Sequence, residues 1–274
     1  MGKWIRRAVV LVVAGVFLFS VTSIALTLYR YHVSDKSYDD TARQYTALVS
    51  GASDAAGPDG TGGSETGESG SVQGSGGAET APIQVDFEGL RAVNSDIAGW
   101  IYCEDTPINY PVVRGEDDEF YLHHSFDGES SNSGAIFIEA QNRPGFADSN
   151  TVIYGHHMKN GSMFAVLAKY ADQTFYEEHP IMWLLTPEQD YKIIVFSGYT
   201  AAAVSDTYTI FEGPGPELDE YLAKALESSD FQADLVPDSK ARYVLLSTCA
   251  YNFKDARYVL HGMLVPVGSR ACVD

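Results

Sequence analysis

Cysteine is scarce in this chain: Cys103, Cys249 and Cys272 are the only three in 274 residues. Three scattered cysteines build no disulfide framework, and their odd number leaves at least one thiol free. No CxxC or HExxH spacing offers a metal site. Positive charge is also scarce, with 18 Lys and Arg against 37 Asp and Glu and a formal net charge of −19. Beyond the first few residues there is no Lys/Arg run, which excludes the basic footprint that nucleic acid requires. Between Gly51 and Ala81 apolar residues are nearly missing: "GPDGTGGSETGESGSVQGSGG" is Gly, Ser, Thr and acid, and predicts a disordered tether. Internal repeats are absent.

One long apolar run is present. Lys3, Arg6 and Arg7 precede Ala8 to Leu28, "AVVLVVAGVFLFSVTSIALTL", in which nothing is charged. About 20 apolar residues span a hydrocarbon core of about 30 Å, and a signal-peptide core is shorter, about 7 to 15 residues. With no A-x-A cleavage pattern after it, the run reads as a retained anchor. The basic cluster before it and Asp35, Asp39 and Asp40 after it predict a single-pass cell-membrane protein with a cytoplasmic N-terminus and everything else outside. The expected organisation is a cytoplasmic tip and anchor over 1–30, an extracellular juxtamembrane segment and tether over 31–81, and one catalytic domain over 82–274.

Within that last segment, "IQVDFEGLRAVNSDIAGWIY" spaces Phe87, Leu90, Val93 and Ile97 as a short helix feeding a strand. Short Val/Ile/Tyr-rich runs follow, broken by Gly, Pro, Asn and Asp: "INYPVV", "GAIFIE", "NTVIYG", "YKIIVFSGYT", "ARYVLLST" and "RYVLHGMLVPV". They predict a mainly β fold, a mostly antiparallel barrel or sandwich. Two helices interrupt it, "SMFAVLAKYAD" and "GPELDEYLAKALESSDF". In the second, Leu218, Tyr221, Leu222, Ala225 and Leu226 form one apolar face, and Pro216 and Glu217 suit its first turn.

Cys249 stands where an apolar run turns polar, in "YVLLSTCAYNFKDA". A reactive thiol needs partial exposure and nearby positive charge, because the thiolate is the nucleophile. Arg257 opens the next run, and a hairpin would bring it back beside Cys249, as thiolate partner or as oxyanion donor; the alternative is a surface pair with Asp255. His156 follows a strand ending at Gly155, where a histidine can exchange protons at a pocket rim. On an extended backbone at most one of His156 and His157 faces a common site. His261, inside a strand, reads as a packing residue.

Taken together these residues resemble a class B sortase, one of the membrane-anchored cysteine transpeptidases of Gram-positive surfaces. "LLSTC" is similar to the family signature TLxTC, with Leu245 in place of the first threonine. "VIYGH" matches the strand and Gly-His of the family's histidine, and Arg257 matches its arginine. "VNSDIAGWI", "TPINYPVV", "EDDEFYLHHSF", "GAIFIE" and "GHHMKNGSMF" extend the resemblance over Val85 to Val265. Glu139 stands where an aspartate is expected, and Cys103 where an aliphatic residue is.

The resemblance implies a closed eight-stranded barrel with an N-terminal helical extension and a helix inserted before the Cys-bearing strand. It implies His156, Cys249 and Arg257 as catalytic residues, and it suggests Ser247 and Thr248 for substrate binding. Sorting-signal-bearing surface proteins would be cleaved through a thioester and passed to an amine of a peptidoglycan precursor or a pilin. A tethered cysteine peptidase and a non-catalytic pilus or surface assembly module on the same barrel are the competing readings. The sequence leaves open the sorting motif and a Cys103–Cys272 disulfide.

Overall fold

The computed structural model describes residues 2–49, 80–249 and 255–268. Residues 51–79 of the predicted Gly/Ser-rich tether therefore lie outside the described residues, as does Cys272, whereas Ala81 at its end is buried. The apolar run forms the first part of α1 (Lys3–Tyr45), a single helix of 43 residues. Leu11, Phe17 and Phe19 are exposed there, and the stretch is long and apolar enough to cross a bilayer. The last turns of α1 differ, because Tyr38, Thr41 and Ala42 are buried. The Tyr38 ring packs on Tyr110 and Phe126, with centroids 5.4 and 6.1 Å away. Residues 34–48, expected in a juxtamembrane segment, are thus packed helix and strand.

β1 (Thr46–Leu48) follows at once and pairs antiparallel with β2 (Ile83–Val85), Thr46 opposite Val85 and Leu48 opposite Ile83. Asp86 caps α2 (Phe87–Val93) by accepting the Gly89 N–H at 2.9 Å, and the buried Phe87 and Leu90 hold that helix to the core. The chain then runs through β3 (Ile97–Tyr102), β4 (Asn109–Val113), α3 (Phe120–His123), β5 (Ile136–Ile138), β6 (Asn150–Tyr154), α4 (Gln173–Glu178), β7 (Ile181–Leu185), β8 (Asp190–Ala202), α5 (Pro216–Glu227), β9 (Arg242–Cys249) and β10 (Ala256–Pro266).

Eight of these strands close into a barrel in the order β10-β8-β7-β3-β4-β5-β6-β9, which leaves that sheet without an edge strand. The seams are antiparallel except β4–β5 and β6–β9, which are parallel. Val244, Leu246, Tyr258 and Leu260 join the main core with Trp100 and Ile153. Leu245, Val259 and Val152, one residue out of step, form a second cluster with Tyr154, Tyr199 and Tyr208, as period-two alternation requires. α5 seals a third cluster, Leu218 and Leu222 against Phe196 and Tyr243. "SMFAVLAKYAD" forms a 3-10 helix over Ala165–Ala171 instead of an α-helix. Asp172 then accepts the Thr174 N–H and starts α4 as a separate helix.

Candidate active site

The site forms where three barrel strands end together. β9 and β10 pair antiparallel with Arg257 opposite Cys249, Tyr258 opposite Thr248 and Val259 opposite Ser247. On its other side β9 runs parallel to β6, with Tyr154 beside Ser247, and the Gly155 N–H continues the seam by donating to the Ser247 carbonyl at 3.1 Å. His156 lies two residues beyond Tyr154, as Cys249 lies two beyond Ser247. The barrel thereby brings positions 156, 249 and 257 to one end of three adjacent strands, although His156 is remote from the other two in sequence.

A cavity of about 250 Å³ opens at this end, lined by Leu122, Tyr154, His156, Tyr208, Ser247 and Arg257 among others. His156 is partly exposed, and its Nε2 lies 2.8 Å from the Leu122 carbonyl oxygen. A carbonyl can only accept, so Nε2 carries the hydrogen and Nδ1 is the nitrogen left for proton exchange. His157 lines a different groove, beside α1, so the two histidines serve different surroundings. Arg257 is half-buried, donates from Nη1 to the Ala256 carbonyl at 3.1 Å, and makes no salt bridge among the described residues. A pair with Asp255 is not what holds it.

Ser247 and Thr248 differ in setting. Ser247 is buried and its hydroxyl shares a 2.8 Å hydrogen bond with Tyr208 Oη. Thr248 borders the cavity but is out of step with Ser247 along β9, and its Oγ1 is buried without a hydrogen-bond partner among the described residues. His261 is buried with its ring stacked on Tyr199 at 5.4 Å. The Tyr221 hydroxyl donates to the Thr207 carbonyl at 2.9 Å, so His261 Nε2, 3.0 Å away, donates to Tyr221. His261 packs beneath α5 and stays outside the cavity.

Sequence reasoning did not single out Tyr208, Asp118 or Tyr154. Tyr208 ends a short 3-10 turn after β8 and stacks on Tyr154 at 6.2 Å. No periodicity marks such a residue. Tyr154 donates to Glu139 Oε2 at 2.6 Å, and Asp118 accepts the Ala140 N–H at 2.7 Å. Burial, and then Asp118 beside it, raise the Glu139 carboxyl to about 7. Among the described residues no group of His, Cys, Asp and Glu has the arrangement of a metal site. Cys103 is a buried free thiol near Tyr170 and the Ile181 carbonyl, its pKa pushed up by burial.

Comparison with known proteins agrees with this geometry. The sortase domain family matches residues 101–265. Sortase B of Listeria monocytogenes is 33% identical over 268 residues, covering 96% of this chain and 98% of its own length. Among solved structures, sortase B from B. anthracis in complex with AAEK1 aligns with a TM-score of 0.68 and 27% identity, over 87% of this chain and 99% of that one. A Staphylococcus aureus sortase B-substrate complex aligns with a TM-score of 0.63 and 31% identity, over 66% and 85%. A strand-end cysteine opposite an arginine, a histidine on the parallel neighbour and this breadth of likeness have one reading: the chain belongs to the sortase family, and within it to class B.

Proposed function

We propose that Cys249, His156 and Arg257 carry out the cysteine transpeptidation of C-terminal sorting signals that membership of this family brings. The observation that supports the assignment is the register: Arg257 is paired with Cys249 across β10 and β9, and His156 leaves the parallel strand at the same level. The Cys249 thiolate attacks the carbonyl carbon before the scissile bond, and Arg257 donates to the oxygen that becomes negative. The C–N bond then breaks, and His156 as imidazolium gives the leaving amine its proton. An incoming amine attacks the thioester, neutral His156 takes its proton, the C–S bond breaks, and the thiolate returns.

The acceptor is an amine of a peptidoglycan precursor or of a pilin. The apolar part of α1 anchors the enzyme with its basic N-terminus in the cytoplasm and the barrel outside, where both reactants reside. Ser247 is offered to the substrate from beside the nucleophile, with Tyr208 as its present partner; Thr248, on the alternate step of the strand, contributes its backbone.

Intact-mass spectrometry of the full chain in detergent, incubated with a library of sorting-signal peptides, tests this reading. A covalent acyl adduct is expected on the wild type and none on Cys249→Ala, with the adduct discharged by added amine into a new amide. Discharge to the free acid at the same rate with and without amine would instead support a peptidase. A folded wild type that forms no adduct with any peptide would remove the assignment.

A further inference from the structure

The membrane-proximal helix reaches the surroundings of His156. Tyr38, on the last turns of α1, donates its hydroxyl to the Gly134 carbonyl at 2.6 Å, and Ser34 donates to Ser133 Oγ at 2.9 Å. Gly134 has a positive φ of +56° and no room for a side chain: a Cβ there would lie 2.6 Å from the Tyr121 carbonyl oxygen, 2.9 Å from that of Leu122 and 3.0 Å from His156 Cδ2. Its backbone therefore lies against both the His156 ring and the carbonyl that orients it. The Ser131–Ala135 turn is tied to α3 by Ser131 N–H to His123 O at 2.8 Å and Ala135 N–H to Tyr121 O at 2.9 Å.

Beyond His156 in the chain, Asn160 donates to Asp35 of the same helix at 2.6 Å, and the Phe164 N–H closes the intervening loop on the His156 carbonyl at 3.0 Å. α1 thus grips the turn packed on one side of His156 and the loop that follows it.

We propose that the extramembrane end of α1 is a positioning element for His156, with the hydrogen bond from Tyr38 to Gly134 as its main contact. The docked helix holds the Gly134 turn against α3, so the Leu122 carbonyl keeps the Nε2–H and fixes which imidazole nitrogen exchanges protons. A membrane helix continuous with this contact links how the barrel sits on its anchor to how well His156 is aligned. The inference rests on the role given to His156 above.

Tyr38→Phe in the full chain in detergent isolates the hydrogen bond, since the ring still packs on Tyr110 and Phe126. Loss of one net hydrogen bond that acts on alignment is expected to lower kcat for a sorting-signal peptide by about two- to tenfold with KM unchanged, and to shift the histidine limb of the pH profile. Asn160→Ala, which releases the other grip, is expected to change the same two quantities in the same direction. Both variants keeping the wild-type kcat and pH profile would overturn the proposal, as would a loss confined to KM or a fall in melting temperature with kinetics of the folded fraction unchanged. Wild type failing to form an acyl adduct would instead remove the function it rests on.

Discussion

Glu139 and Asp118 meet at the edge of the cavity, where burial and then Asp118 raise the Glu139 carboxyl from 4.5 to about 7. Between those two values the folded chain binds a proton that the unfolded chain has lost. The stability from protonated Glu139 is therefore complete below 4.5 and disappears as pH rises through about 7. Glu139→Gln keeps an acceptor for the Tyr154 hydroxyl and removes the titration. Thermal melts are expected to show no gain for this variant in acid and a growing gain up to about pH 8; a pH-independent difference would show that burial and Asp118 do not raise the Glu139 carboxyl. Arg257 is tested by rate. Removing one oxyanion donor typically costs about 10²- to 10³-fold in kcat, so Arg257→Ala should form its acyl adduct that much more slowly, and Arg257→Lys should recover part because it keeps charge without the planar fork. An unchanged acylation rate for Arg257→Ala would take the arginine out of the chemistry.

At the scale of elements, the hairpin between Cys249 and Arg257 is legible because both residues flank one short polar segment, and a hairpin is a local event. The β6–β9 seam is not legible in the same way: Tyr154 and Ser247 are paired in parallel although they lie 93 positions apart in the chain, and no local pattern names a strand's parallel neighbour. Residue chemistry offers His156 as a candidate beside Cys249 and Arg257, and the family resemblance assigns it the role. The α5 face was readable from its apolar period, while the break between the 3-10 helix and α4 depends on a single cap at Asp172. The seam also suggests its own test. A Cβ on Gly155 would lie 2.5 Å from Ile136 Cδ1 and 2.7 Å from the Phe164 ring, both buried, where the wall of the barrel turns into the site. Overpacking of this kind costs about 1–3 kcal/mol. Gly155→Ala should therefore lower the urea midpoint accordingly and displace His156, reducing acylation of the fraction that remains folded; wild-type stability would mean that the Ile136 and Phe164 side chains yield freely.

For the whole molecule, the pairing of β1 with β2 changes what the Gly/Ser-rich stretch can do. A tether between anchor and barrel would set the enzyme's reach by its length. Here the chain has already docked before that stretch begins, through Ser34, Asp35 and Tyr38 of α1, and the stretch leaves and returns at one place, since the Val49 N–H donates to the Pro82 carbonyl at 2.9 Å. With the apolar run as the anchor proposed above, the distance from bilayer to cleft would be set by the helix between the end of that run and Ser34, at about 1.5 Å per residue. Replacing residues 51–79 with a short Gly-Ser link should leave the melting temperature unchanged. It should also leave the rate on a membrane-presented substrate in vesicles equal to the wild-type rate. Inserting four residues between Leu28 and Ser34 should instead raise the barrel by about 6 Å and turn it by about 40°, lowering the rate on the membrane-presented substrate while a soluble peptide is still processed. If the shortened loop slows only the membrane-presented reaction and the helix insertion does not, the stretch works as a tether after all and the docking of α1 is dispensable for reach.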